Sequence, residues 1–201
     1  MGRIEKIGEE LAGLESAVAG VQKAIKRLND IVRGYNRPDF SEIKDGEYFS
    51  YRGIDFIRLG KEQGGVLCIT ARPYYHDERF SVDGNNDWKS SDIRKKLNIE
   101  FLRLISTDDL LSYRSNLTAD NGDADYGFSN DCVGLLSCDL YRKYRKYIPK
   151  CDGWVWTCTA WRCLHPDRDR RVRVFTPDNV FAIVGANSKG SVFPAVIFSN
   201  S

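Results

Sequence analysis

The 201-residue chain has room for one domain of ordinary size and an appendage, and its 42% apolar and 29% charged residues are the proportions of a soluble protein. Thirty Lys and Arg against 28 Asp and Glu leave a formal net charge of +2, so no global field draws the chain to nucleic acid or to an anionic membrane. No apolar run approaches the roughly 20 residues that span a bilayer. The start MGRIEKIGEE has no apolar signal core, so the expectation is synthesis in a cytoplasm without membrane insertion or export by the general secretory route.

Residues 3–34 carry a strict 3-4 spacing of apolar side chains: Ile4, Ile7, Leu11, Leu14, Val18, Val21, Ile25, Leu28 and Val32. Positions 4, 11, 18, 25 and 32 are a sites of a heptad, and 7, 14, 21 and 28 are d sites. The segment predicts a helical rod of roughly 45 Å at 1.5 Å per residue. A seam this narrow needs a partner, either further copies of itself or the chain's own domain. Ala17 and Ala24 at g widen the stripe, and β-branched residues sit at d as well as a, which favours three strands over two. Gly8, Gly13 and Gly20 weaken the isolated helix by about 1 kcal/mol each, so assembly is the expected source of its stability. Residues 1–36 are therefore expected to be a coiled-coil oligomerisation helix, and 37–201 a separate domain.

GYNRPDF at 34–40 supplies the glycine and proline of a helix stop. YFSYRGIDFIRL and GGVLCITARPYY predict short strands joined by glycine turns. Ser90 or Ser91 can cap a helix over 91–105 whose Ile93, Leu97, Phe101, Leu104 and Ile105 share one face. Arg94 and Asn98 stand at i and i+4 and are expected to bond backbone carbonyls of nearby loops, a structural role. A loop-rich middle, SNLTADNGDADYGFSNDC, precedes VGLLS and a short helix in DLYRKYRKYI. WVWTCTAW, RVRVF, VFAIV and VFPAVIF then make the remainder strand. The order implies an α+β fold.

Chemical motifs are sparse. There is no G-x-S-x-G, H-E-x-x-H or P-loop, and no C-x-x-C pair for zinc, so Cys68, Cys132, Cys138, Cys151, Cys158 and Cys163 are expected to be free thiols, most of them buried. DNGDAD at 120–125 offers oxygens to a calcium ion but lacks the glutamate that completes an EF-hand loop, and a plain polar turn accounts for it better. Asp167 and Asp169 interleave with the arginines of RCLHPDRDRRVRV, which argues against a nucleic-acid groove.

In the strand WVWTCTAW, Trp154, Trp156, Cys158 and Ala160 alternate with Val155, Thr157, Thr159 and Trp161. If one row is core, the other displays rings and hydroxyls beside the arginine-rich loop, a mix enriched at recognition sites. The candidate ligand-binding residues are Trp156, Thr157, Thr159, Trp161, Arg162, His165, Asp167, Arg168, Arg170 and Arg173. Which row faces outward is left open by the alternation.

Four ordered strings, DWKSSDIRKKLNIEFL, DCVGLLS, GWVWTCTAW and GSVFPAVIF, carry a resemblance over about residues 45–200. The chain resembles a family of uncharacterised domains of gut bacteria and their phages. That family is similar to the C-type-lectin-like fold of retroelement-diversified phage tropism determinants and of formylglycine-generating-enzyme relatives. Phe193 departs from the arginine frequent in the family's closing motif, and the heptad rod is an addition. The resemblance implies a C-type-lectin-like head, a twisted antiparallel sheet with two helices and long loops, and a non-enzymatic role without cofactor, metal or nucleic acid. Joined to the rod, it implies a homotrimeric receptor-binding protein of a phage or prophage virion, a tail or head fibre made in the bacterial cytoplasm. Its partners would be other virion proteins and a host cell-surface protein or glycan. Two alternatives stand beside it: a structural decoration of the virion, and a copper-dependent thiol oxidase using Cys158 and Cys163.

Overall fold

A computed structural model describes residues 2–36, 38–163, 170–178 and 180–200. His165, Asp167 and Arg168 lie outside the described residues, as do the side chains of Ile4, Ile7 and Val32. The chain divides into two units, Met1–Pro38 and Asp39–Ser201.

The first unit is one helix, α1 (Arg3–Asn36). Along it Leu11, Leu14, Val18, Val21, Ile25 and Leu28 each keep between 52% and 66% of their surface in solvent. Gly13 and Gly20 face open space.

The second unit is α+β. Its strands in chain order are β1 (Tyr48–Tyr51), β2 (Ile54–Glu62), β3 (Gly65–Thr70), β4 (Tyr75–Arg79), β5 (Leu110–Leu111), β6 (Tyr113–Asn116) and β7 (Phe128–Asp131). After these come β8 (Val155–Ala160), β9 (Arg171–Phe175), β10 (Phe181–Gly185), β11 (Lys189–Val192) and β12 (Ala195–Phe198). Two helices interrupt them, α2 (Asp92–Ile99) and α3 (Cys138–Tyr144). One five-stranded sheet runs β1-β2-β3-β12-β5, a second runs β10-β9-β8-β11-β4, and β6-β7 form a separate hairpin. The pairings are antiparallel except β8 with β11, where Val155 lies beside Ser191.

The strands lie between two apolar clusters, and alternation sends neighbouring residues into opposite ones. In β3, Val66 and Cys68 enter one cluster while Leu67 and Ile69 enter the other. In β12 the split is Val196 and Phe198 against Ala195 and Ile197. Helix α2 and its flanks roof the first cluster with Trp88, Ile93, Leu97 and Phe101. Helix α3 roofs the second with Tyr141 and Tyr144. Each fully buried side chain of this size contributes roughly 1.5–3 kcal/mol through removal from water.

Local chemistry sets the helix starts. Ser91 caps α2 by accepting the Arg94 N–H at 3.2 Å, and Ser137 caps α3 by accepting the Leu140 N–H at 3.2 Å. The helix expected over 91–105 is shorter. It ends at Ile99 and continues as a 3-10 turn, Phe101–Leu104. That tighter winding, three residues per turn, carries Leu104 off the buried face, and it remains 43% exposed. The stretch expected to be loop, 115–132, contains the end of β6 and all of β7.

Candidate recognition surface

The residues expected to bind a ligand divide sharply. Trp156, Thr157 and Thr159 are inside, at 1%, 0% and 5% exposure, which corrects the expectation that they meet a ligand. Both faces of β8 are covered: Val155 belongs to one apolar cluster, Trp156 and Cys158 to the other. Their polar atoms are consumed internally. The Trp156 indole N–H donates to the Glu78 carbonyl at 2.8 Å. The Thr157 hydroxyl donates to the Arg173 carbonyl at 2.7 Å, and the Thr159 hydroxyl accepts the Cys138 N–H at 3.0 Å. These side chains bind the sheet together.

The remaining described candidates gather where β8 ends. Trp161 leaves the strand half-buried, with its backbone N–H donating to the Arg171 carbonyl at 3.0 Å. Over its ring lie the guanidinium of Arg173, 4.6 Å from the centroid, and that of Arg171, 5.8 Å away. Arg173 and Arg171 point the same way because they are two residues apart in β9. Arg173 also binds the Asp120 carboxylate, whose other oxygen lies 3.7 Å from Arg142. Arg142 stacks on Phe181 at 4.8 Å and is bonded to Asp139 at 2.7 Å. The Nε of Arg173 is buried and has no hydrogen-bond partner among the described residues.

Asn86, fully buried, steadies the base of this surface. Its amide donates to the carbonyls of Arg162 and Arg171 at 2.9 and 3.0 Å and accepts the Tyr126 hydroxyl at 2.7 Å. Arg162 is half-buried, and exposed Arg170 donates to the Asp83 carbonyl at 2.8 Å. The surface therefore consists of an aromatic ring at the end of β8, planar cations stacked from β9 and α3, and two carboxylates, Asp139 on α3 and Asp120 in the turn between β6 and β7. Such a face can offer forked N–H donors and a rigid apolar area to a carboxylate, carbonyl or hydroxyl-bearing partner.

Asp120, Arg142, Phe181 and Arg171 were not among the sequence candidates. Asp120 sits in DNGDAD, whose groups are otherwise used in turns: Asn121 Oδ1 accepts the Asp123 N–H at 3.2 Å and Asp123 Oδ1 accepts the Asp125 N–H at 3.1 Å. Among the described residues no group of three His, Cys, Asp or Glu side chains is placed to hold a metal ion.

All six cysteines are free, and Cys68, Cys138, Cys158 and Cys163 are buried. Burial pushes the Cys158 thiol up to about 12 and the Cys138 thiol up to about 11. Burial raises Cys163 as well. A thiol oxidase needs accessible, thiolate-prone sulfur, and neither Cys158 nor Cys163 meets that condition in this fold.

Compared with protein-family models, with curated proteins and with solved structures, the chain matches none.

Proposed function

We propose that this is a non-enzymatic recognition protein, a C-type-lectin-like head on an N-terminal coiled coil, serving a phage or prophage virion as a homotrimeric host-binding fibre. The observation that carries the reading is the Trp161 surface: an aromatic ring under two guanidinium groups, fixed by Asn86 and Asp120 at the end of β8, whose own residues are all internal. Rigid rings and arginines at a surface lose little entropy on binding and are the commonest energetic centres of interfaces. The α+β unit, with strand pairings antiparallel but for β8 with β11 and with two roofing helices, is in keeping with the lectin-like assignment. Exposed Leu11, Leu14, Val18, Val21, Ile25 and Leu28 support assembly of three copies along α1. Three linked heads would raise the apparent affinity of a weak site by ~10²–10⁴.

The test is binding of fluorescently labelled full-length protein to a panel of gut bacteria, with Trp161→Ala and Arg173→Ala compared with the exposed control Arg103→Ala. Cell binding that falls at least about tenfold in the first two and not in the third supports the surface. Equal binding by all three rejects it. Light scattering supplies the assembly arm, and a monomer at tens of micromolar would remove the avidity argument.

A further inference from the structure

Trp154 precedes β8 and Trp161 follows it, so roughly 20 Å of extended backbone separates the two residues. Trp154 has surroundings of its own. Its ring lies against the backbone of Gly190 in β11, where an added Cβ would come within 2.7 Å of Cδ1 and 2.9 Å of Nε1. Only glycine lets the indole settle there. The neighbouring ring of Trp156 is buried, whereas Trp154 keeps 39% of its surface in solvent.

Trp154 lines a cavity of about 310 Å³ together with His76, Asp77, Asp152 and Lys189. Two irregularities of the backbone aim these groups. The ladder between β4 and β11 pairs Gly190 with Glu78 and Val192 with Tyr75, so His76 and Asp77 together oppose Ser191. That bulge leaves Asp77 in the left-handed region at φ +56°, a conformation that costs an L-residue about 1 kcal/mol and is concentrated at binding sites. Gly153, at φ +87°, makes the corresponding turn between Asp152 and Trp154. Among the described residues, none of the side chains of His76, Asp77, Asp152 and Lys189 is engaged in a hydrogen bond or ion pair. The fold thus places four unspent polar groups around one half-uncovered ring.

We propose that this cavity binds one ring of a neutral saccharide. The C–H face of a pyranose is apolar and stacks on an indole, while its rim of hydroxyls needs acceptors and donors side by side. Asp77 and Asp152 accept, the Lys189 ammonium donates, and the His76 imidazole can do either. The volume lies at the small end of ligand pockets, about 300–1,000 Å³, and suits one or two sugar rings. Two carboxylates against one ammonium leave the rim negative, which disfavours sialylated, uronic or phosphorylated sugars. The site is separate from the Trp161 surface and does not depend on how that surface is used.

The experiment follows the tryptophan indole N–H signals of the ¹⁵N-labelled full-length protein during titration with the methyl glycosides of glucose, mannose, galactose, N-acetylglucosamine and N-acetylgalactosamine. Trp→Phe variants assign the signals. The expected result is a saturable shift of the Trp154 signal by at least one glycoside, with a Kd of about 1–10 mM, and no movement of Trp88 or Trp156. Asp152→Asn and Lys189→Gln, both at exposed positions where folding is not at stake, should weaken that binding about tenfold for each charge-assisted bond lost. Trp161→Ala should leave it unchanged, and so should EDTA. No shift from any glycoside, undiminished binding by both charge variants, loss of binding in EDTA, or tighter binding of a methyl sialoside would each overturn the proposal.

Discussion

Asn98 and Val133 are joined through both ends of a single amide: Nδ2 donates to the Val133 carbonyl at 2.9 Å, and Oδ1 accepts the Val133 N–H at 3.1 Å. The same Oδ1 accepts the Cys132 N–H at 3.1 Å, and Nδ2 also reaches back to the Arg94 carbonyl at 3.1 Å. One side chain therefore clips α2 to the chain that leaves β7. Asn98→Ala strands two N–H groups and a carbonyl in a place where water is scarce. A loss of about 2–3 kcal/mol in unfolding free energy is expected by urea denaturation. Asn98→Asp keeps the acceptor but turns a negative oxygen towards two carbonyls, and should cost at least as much. A cost near zero for the alanine variant would mean that the packing of Leu97 alone holds the helix.

Asp131 is the second fastening of the same helix. Its carboxylate, 2% exposed, accepts the Trp88 indole N–H at 2.9 Å through one oxygen and the Arg94 guanidinium at 2.7–2.8 Å through the other. Asp131→Ala leaves a half-buried cation and a buried indole donor unpaired, and about 3 kcal/mol of stability should be lost. Asp131→Asn retains an acceptor for Trp88 and should lose less. Trp88→Phe combined with Asp131→Ala should cost less than the sum of the two single changes, because they share one bond. Additive losses in thermal denaturation would show that the two contacts act independently.

The structural side of these fastenings was legible because it is local. A serine before an apolar periodic stretch caps α2, and Arg94 and Asn98, one turn apart, do reach backbone carbonyls, of Lys89 and Val133. The failure at β8 is equally physical. Alternation says that a strand has two faces, not how many are covered. Trp156 and Cys158 fill one apolar cluster and Val155 the other, so no row is left to display. The signal that could have corrected the reading is the absence of any charge in VWTCTA, a property it shares with the wholly buried GVLCIT and AVIF. The Trp161 surface was only half readable. Arg173 and Trp161 could be picked out from the sequence, but Asp120 and Arg142 arrive from a hairpin loop and a helix that no spacing links to β9. The bulge that exposes His76 and Asp77 depends on the register of β4 against β11, which neither strand encodes alone.

The buried thiols predict the alkaline limit of the fold. Burial raises Cys138 from an ordinary 9.0 to about 11 and Cys158 to about 12. Below pH 9 both states hold these protons and stability is unaffected. Above it the unfolded chain releases them while the folded chain does not, so each thiol lowers stability by about 1.4 kcal/mol per pH unit until its folded value is reached. Urea midpoints should therefore fall steadily from pH 9 to 11, and Cys138→Ala should flatten that slope even if it lowers the starting stability. In native protein at pH 8, an aromatic disulfide reagent should label the half-buried Cys132 and Cys151 quickly and the other four only on unfolding. Rapid labelling of Cys158 would reopen the oxidase reading.

Gly13 and Gly20 offer the cleanest test of what stabilises α1. Both fall at c positions of the heptad, off the a/d seam, and a Cβ at either meets nothing within 4 Å. Alanine at each site should favour the helix by about 1 kcal/mol without touching Leu11, Leu14, Val18 or Val21. If copies assemble along the seam, Gly13→Ala/Gly20→Ala should raise the thermal midpoint and leave the scattering mass unchanged. Val18→Asp, by contrast, places a charge at an a site and should convert the assembly to monomer with loss of helical circular dichroism. Full helicity retained by a monomeric Val18→Asp protein would instead mean that the helix needs no partner copies, and the trimer would have to be abandoned.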